Sequence, residues 1–262
     1  SQTLANTAYN TSLNWANPDL LELEQQNRLP ILSNDPIVEL GVNDSNRQEV
    51  LDRFRVDPLY QRLFAQAFAG QSDPFTIDNI VLALASFNRS LLSYRAPIDG
   101  YLAGDESALG ASARRGLELF ESDRLECTQC HGGFNFTDST RVNGNERPIF
   151  HNTGLYNIIR LGDGANNYPA ENQGLYDFTG QDGDKGRMRA PTLRNIALTA
   201  PYNHDGSTPT LSEVLDNYAR GGRQVTSPLA HAGDGRSNSF KDGELHGFTL
   251  TEQDRADLLA FF

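Results

Sequence analysis

The stretch Cys127-Thr128-Gln129-Cys130-His131 decides how this chain is read. C-x-x-C-H is the spacing of a c-type haem attachment site. Two thiols add across the vinyl groups of one porphyrin, and the next residue supplies the proximal iron ligand. One helical turn presents both sulfurs to a single porphyrin edge and aims the imidazole at the metal. The alternatives are a structural disulfide, a redox C-x-x-C and half of a zinc site. A redox motif is expected beside a βαβ pattern, and none is visible here. Zinc needs a second ligand pair at short spacing, and these are the only two cysteines. The haem reading is preferred.

Working outward, 262 residues hold one large domain or two small ones, and 38% hydrophobic content suffices for a core. The 23 Gly and 12 Pro imply long ordered loops, which suit a haem domain held together by its cofactor. A formal charge of -12 argues against nucleic acid and anionic membrane surfaces as partners, and favours a basic protein surface. No apolar run approaches transmembrane length, so membrane insertion is not expected. No signal peptide is seen. Haem c is attached after export, so the expectation is a processed piece of a periplasmic protein.

Pro18, Pro30 and Pro36 predict irregular chain over 1–43. A helix is expected over 45–55, with Val50, Leu51 and Phe54 on one face. Asp57-Pro58 caps the next, which carries Leu59, Leu63, Phe64 and Ala67. A third starts near Thr76 with Ile77, Ile80, Leu84, Phe87 and Leu91 as its buried stripe, and Pro97 is expected to end it. A helix over 109–123, with Leu117 and Phe120 inward, feeds the haem motif. Residues 132–207 are Gly-, Asn- and Asp-rich and lack periodicity; such loops are usually functional, and wrapping a haem is reason enough. Thr210-Leu211-Ser212-Glu213 is a capping box that opens a helix with Leu211, Val214, Leu215 and Tyr218 on one face, stopped by Gly221-Gly222. A last helix, capped by Thr251, carries Leu258, Leu259 and Phe262 and is expected to pack across the helix before the motif. The fold class is mostly α: cytochrome c-like haem domain structure with long irregular loops and little strand.

Thr3-Leu4-Ala5-Asn6-Thr7-Ala8 matches Thr192-Leu193-Arg194-Asn195-Ile196-Ala197 at an offset of 189. His131 precedes Thr192 by 61 residues, so an equivalent histidine for the first copy would lie about 58 residues before residue 1. That predicts a two-haem protein whose first C-x-x-C-H lies upstream.

The chain resembles the di-haem cytochrome c peroxidase/MauG family, most nearly its MbnH-like branch. The resemblance is carried by residues 3–15 with Ala16-Asn17-Pro18, by Leu23-Glu24-Gln25-Gln26, by Pro36-Ile37-Val38-Glu39-Leu40-Gly41 and by the haem motif. Arg189-Ala190-Pro191-Thr192-Leu193-Arg194-Asn195, the run Leu198–Gly206 and Asn217-Tyr218-Ala219-Arg220-Gly221-Gly222 complete it. Family members carry two C-x-x-C-H motifs; this chain has one. The resemblance implies that residues 1–108 are the remainder of the N-terminal, peroxide-reactive haem half plus connecting helices, and that 109–262 are the C-terminal haem domain. One haem c is expected on this chain and a second on the absent N-terminal segment.

The resemblance also assigns roles. Tyr218 would be the distal ligand of the second haem, where peroxidases place Met and MauG-type enzymes Tyr; a hard phenolate oxygen stabilises high-valent iron, a thioether the ferrous state. A buried core Tyr is the alternative. Met188, the only Met, is the rival ligand, disfavoured by its charged Arg-Met-Arg setting. Trp15, the only Trp, would relay electrons between haems or else simply pack. Glu39, with Gln26 and Pro30, would line the distal pocket of the first haem, Glu39 as general acid–base for peroxide heterolysis; a surface Glu is its plainer reading. His204 would lie near haem propionates or in the inter-haem region, not on iron. His151, His231 and His246 default to exposed loop histidines. Arg189 and Arg194 would pair propionates, or sit on the surface. Thr199 and Pro201 would offer carbonyls to an inter-haem Ca²⁺. At the position of MauG's surface Trp, two residues before the motif, stands Leu125, so the expectation is a different docking route or an approach of the substrate protein elsewhere.

The expected function is a periplasmic di-haem enzyme using hydrogen peroxide to form a high-valent state that oxidises a Trp of a partner protein. The alternatives are a peroxidase taking electrons from a small cytochrome and a non-enzymatic mono-haem electron carrier.

Overall fold

Helices dominate the computed structural model, which describes residues 2–33, 38–141, 147–158, 168–226 and 231–262. Contacts group the chain into two units: Leu20–Leu92, and Ser1–Asp19 with Ser93–Phe262. The sequence division at 108/109 concerns which haem each part serves, a separate criterion.

The Leu20–Leu92 unit holds α1 (Leu23–Leu32), α2 (Arg47–Val56), α3 (Pro58–Ala67) and α4 (Ile77–Ser90). Irregular chain was expected over 1–43; α1 corrects this. Pro30 sits in its last turn, where it removes a single interior N–H. Tertiary contacts outweigh that loss. Leu23 and Ile31 are buried, Glu24 receives a two-pronged bond from Arg89 at 2.7 and 2.8 Å, and Asn27 accepts from Asn88 at 2.9 Å. Pro36 and Ile37 lie outside the described residues. Asp57 caps α3 through the Leu59 N–H, and Thr76 caps α4 through that of Asn79, as expected.

The buried face of α4 differs from the expected stripe. Ile77, Val81, Ala85 and Asn88 face inward, while Leu84 and Phe87 are 41% and 57% exposed. Smaller Val81 and Ala85 let α1 approach closely, and Asn88 keeps its amide satisfied on Asn27. The helix ends at Ser90, not at Pro97, which instead takes the first position of α5 (Pro97–Leu102).

In the other unit follow α6 (Ala111–Phe120), α7 (Thr128–His131), α8 (Tyr176–Thr179), α9 (Leu211–Arg220) and α10 (Glu252–Phe261). Strand is confined, among the described residues, to β1 (Gln224–Val225) antiparallel to β2 (Gly233–Asp234), with Gln224 opposite Asp234. The expected capping boxes at Thr210 and Thr251 form, and Gly221 ends α9 in the left-handed region at φ 76°. α6 packs across α10 as expected. Their crossing is set by Gly116: a Cβ there would lie 2.0 Å from the Asp257 carbonyl oxygen. Around it, Arg115 forks onto Asp257 at 2.8 and 2.7 Å and Ser112 donates to the same carboxylate at 2.5 Å. These donors, Arg115 first, hold the Asp257 carboxyl well below its ordinary range. Leu258 is fully buried, whereas Leu259 is 37% exposed.

The sequence repeat has a structural counterpart. Asn6 and Asn195 adopt nearly the same left-handed conformation, φ 59° and 60°, and each opens a single 3₁₀ turn. Both amides reach Ser93: Asn6 bonds its backbone at 2.9 and 2.8 Å, and Asn195 its hydroxyl at 3.1 Å. Asn tolerates this region better than other side chains do. Asn195→Ala is therefore expected to cost about 1–2 kcal/mol in urea denaturation, and Asn195→Gly less than Asn195→Ala. Among the described residues no helix is long and apolar enough to cross a membrane.

Candidate haem site

The C-x-x-C-H stretch folds as a single turn. The His131 N–H donates to the Cys127 carbonyl at 2.9 Å, placing both cysteines and the imidazole on α7. Left-handed, non-glycine residues stand on both sides: Glu126 at φ 52° and Phe136 at φ 50°. Such conformations cost energy and persist where a site demands them. The Phe136 carbonyl lies 3.2 Å from His131 Nδ1. With Nδ1–H donating there, Nε2 keeps its lone pair for a metal. Burial holds the imidazole below its ordinary pKa, in the neutral, ligating form.

Three chain segments brace this turn. Thr137 Oγ1 donates to the Ala190 carbonyl at 2.7 Å, and Thr192 Oγ1 to the Asn135 carbonyl at 2.5 Å. The Thr11 N–H donates to Ser139 at 2.8 Å and that of Arg189 to the Trp15 carbonyl at 2.7 Å. The network brings Trp15, Arg189 and the haem motif to one cavity from positions far apart in sequence.

That cavity encloses about 1440 Å³ of space, counting its open mouth, and its lining is mainly apolar. Trp15, Cys127, Cys130, His131, Arg189, His204 and Tyr218 all line it. So does Met188, which the charged flanks had disfavoured. It is buried, its backbone pairs with His151, and it packs with Leu155, Tyr156 and Tyr168. Leu125, two residues before the motif, is buried in the lining.

The residues fit a haem c. The two thiols are unpaired with each other, which removes the disulfide reading in this structure. Burial pushes the Cys127 thiol up to about 12, unlike the depressed thiol of a redox C-x-x-C. Tyr218, on α9, has no hydrogen-bond partner for its hydroxyl among the described residues. Burial, then the nearby Cys130 and Cys127, raises its pKa. A ferric ion would supply the positive charge a buried phenolate needs. Arg189 is 2% exposed and bonds the carbonyls of Asn14 and Ala190 at 3.2 Å each, and the Gln2 side chain. No carboxylate bonds it among the described residues, and desolvation lowers its pKa to about 10. A buried cation on a cavity wall, held by neutral groups alone, suits a propionate.

Other expected residues are placed elsewhere. Arg194 does not line the cavity. It forks onto Asp99 at 2.9 and 2.7 Å and bonds the Phe134 carbonyl, so its guanidinium is already engaged, against the expected propionate pairing. Gln26 and Glu39 belong to the Leu20–Leu92 unit. Leu40 N–H bonds the Pro30 carbonyl at 3.0 Å, which lays the Glu39 segment along the end of α1; Glu39 is exposed and Gln26 Oε1 is buried without a partner. Pro201 is joined to Ala200 by a cis peptide, Thr199 precedes it, and neither the Thr199 nor the Pro201 carbonyl accepts a hydrogen bond from described residues. Among the described residues no group of three His, Cys, Asp or Glu side chains could hold a metal ion.

His151 corrects its expected place in an exposed loop. Its side chain is 15% exposed and lines the cavity, with Nε2 2.6 Å from Asp138 and Nδ1 2.7 Å from Asp242. These partners lie 13 and 91 residues away, so no local pattern announces them. His231 touches the Tyr156 ring, and His246 is exposed near Glu126.

A haem-binding turn between crossed helices, closed by a third helix that offers a phenol, defines a c-type cytochrome domain. A solved structure described as a MauG-like protein associated with microbial copper homeostasis matches the whole chain at 45% identity and TM-score 0.92, over 73% of its own length. The chain belongs to the di-haem cytochrome c peroxidase/MauG family. The family pattern for di-haem cytochrome c peroxidase matches residues 1–107, and a RoxA-like, cytochrome c-like pattern matches 188–223. The methylamine utilization protein MauG of Methylorubrum extorquens is 34% identical over 98% of this chain and 61% of its own length. Cytochrome-c peroxidase IdrP1 of Pseudomonas sp. (strain SCT) is 32% identical over 100% of this chain and 66% of its own. The chain thus spans 61% and 66% of the length of these two relatives.

Proposed function

We propose that this chain belongs to a periplasmic di-haem c oxidoreductase that uses hydrogen peroxide to oxidise a Trp on a partner protein. The observation carrying this reading is Tyr218, a half-buried phenol on the cavity wall shared by Cys127, Cys130 and His131, with no partner for its hydroxyl among the described residues. When bound, haem supplies the peroxide chemistry and stores oxidising equivalents. His131, with a neutral Nε2, and Tyr218, with a hard oxygen, are the residues that would ligate the iron, and that donor set would favour its oxidised state. Arg189 would pair with a propionate, and the mainly apolar lining would surround the porphyrin. Trp15, half-buried and edge-on to His204 at 6.3 Å, supplies an oxidisable ring beside the site.

The second haem, Ca²⁺ at the Thr199 and Pro201 carbonyls, and Glu39 with Gln26 as peroxide-handling groups complete the proposal. The Gln26 Oε1 and the Thr199 and Pro201 carbonyls, which accept no hydrogen bond from described residues, support it. The net charge of -12 favours a partner with a basic docking surface. Periplasmic placement follows from haem c attachment after export.

Tyr218→Met is expected to raise the midpoint potential of the haem on this chain by at least about 100 mV in a redox titration, since axial ligands set haem potentials over a wide range. An unchanged potential and spectrum would remove Tyr218 as ligand. The cytochrome-reducing peroxidase reading draws on Met188, a thioether on the same wall. Under the leading reading Met188→Leu leaves the axial-ligand spectrum unaltered; under the rival reading it is the substitution that changes it.

A further inference from the structure

Part of the cavity wall continues outward as a series of aromatic contacts. Trp15 meets His204 edge-on at 6.3 Å between ring centroids, and His204 stacks on Tyr168 at 6.1 Å with planes 25° apart. Tyr168 meets Tyr156 edge-on at 5.2 Å, and Tyr156 meets His231 at 5.7 Å. Trp15, His204 and Tyr168 line the cavity; Tyr156 stands behind them. Its ring is 8% exposed, yet its hydroxyl donates at 2.5 Å to Oδ2 of Asp205, an exposed residue.

We propose that Tyr156 is a proton-coupled redox relay, joined through Tyr168 and His204 to the haem cavity and through Asp205 to the surface. It passes electrons inward from an aromatic side chain of a docked protein. The inference rests on the reading above, because peroxide-oxidised haem supplies the one-electron oxidant.

The step balances. One electron leaves the Tyr156 ring and reduces the oxidised haem by one equivalent. The phenolic O–H bond breaks, and its proton moves to Asp205 Oδ2, leaving a neutral tyrosyl radical. The docked aromatic side chain then gives one electron, Asp205 returns the proton, and Tyr156 is restored. Two such turns match the two oxidising equivalents of one peroxide.

The surroundings require electron and proton to leave together. The Arg223 guanidinium sits 5.4 Å from the Tyr156 ring centroid. A ring radical cation there would set two positive charges against each other in a poorly solvated place. Losing the proton first is also unfavourable, because burial raises the hydroxyl pKa. A carboxylate at hydrogen-bond distance removes both obstacles, as a positioned base does in proton transfer. Tyr168, by contrast, is 4% exposed with no hydrogen-bond partner for its hydroxyl among the described residues, and suits passage of charge better than its storage.

The test uses diferric holoprotein carrying ring-deuterated tyrosine, mixed with hydrogen peroxide and freeze-quenched. Optical spectra report whether the haem is oxidised, and EPR reports the radical. Subtracting the Tyr156→Phe spectrum isolates this residue from exposed tyrosines such as Tyr94. The expected result is a deuterium-narrowed tyrosyl signal in the difference, reduced about tenfold or more by Asp205→Asn, which retains an acceptor but takes no proton. A merely structural Tyr–Asp bond would not produce it. Oxidised haem with no such difference signal overturns the relay and leaves the peroxide reading intact. If peroxide leaves the haem spectrum unchanged, the peroxide reading fails. Hexachloroiridate(IV) then replaces peroxide as oxidant. An Asp205-dependent difference signal supports Tyr156 as a proton-coupled site, and its absence overturns it.

Discussion

His151→Leu is expected to lose about 3–5 kcal/mol of stability, because it leaves two largely buried carboxylates facing each other without their shared cation. Asp138 and Asp242 are only 15% and 11% exposed at the side chain. Arg187, 3.4 Å from Asp242, compensates one of them in part. The pH dependence identifies the charge state. Burial alone would lower the imidazole pKa, but the flanking carboxylates of Asp138 and Asp242 drive it up to about 12. The folded pKa thus lies above the unfolded value near 6.5. The stabilisation is complete below about pH 6.5 and is lost progressively as pH rises towards about 12. Urea denaturation of the wild type should show stability falling between pH 7 and 9 by up to about 1.4 kcal/mol per unit from this group. His151→Leu should lack that component. Equal slopes in both proteins would mean a neutral His151. The Asp138 N–H also donates to the Cys130 carbonyl at 2.9 Å, so the cluster braces the haem turn and the variant should retain haem less well.

The helix ends and the haem turn were legible in the sequence because local chemistry decides them. Thr210, Thr251, Thr76 and Asp57 cap where their side chains reach the next free N–H groups, and Cys127 to His131 needs only one turn. The periodicity of α4 placed Ile77 and Ile80 at the core but failed at Leu84 and Phe87, because Val81 and Ala85 continue an equally periodic face; the choice belongs to α1, which favours the slimmer residues. The Pro30 expectation failed for the same reason: tertiary contacts outweighed local preference. Arg189 and Arg194 look alike in one short run, yet one lines the cavity without a carboxylate and the other is committed to Asp99. Nothing local separates them, since Asp99 lies 95 residues away. The same holds for His151 and for the Tyr156–Asp205 pair, which meet across 49 residues.

Gly116→Ala tests the crossing on which the haem cavity depends. Alone, the change favours the helix by about 1 kcal/mol, because Ala is the better helix former. Against this, the new Cβ would lie 2.0 Å from the Asp257 oxygen, 2.7 Å from its carbon and 2.8 Å from Phe261 Cβ. Two of these atoms are backbone, so no rotamer change relieves them and α10 must move away. Moving it strains the Arg115–Asp257 fork and the Ser112 bond, and opens the Phe120, Leu215 and Leu258 core that lines the cavity. Overpacking that shifts backbone costs about 1–3 kcal/mol or somewhat more, which outweighs the helix gain, so the net loss should reach about 2 kcal/mol. Gly110→Ala is the control on the same helix. It occupies the N-cap, a Cβ there meets nothing within 4 Å, and its cost should stay within about 1 kcal/mol. Denaturation midpoints and haem content by pyridine haemochrome measure both effects. Comparable stability and haem loading in the two variants would mean that α6 and α10 do not need this close contact to hold the cavity.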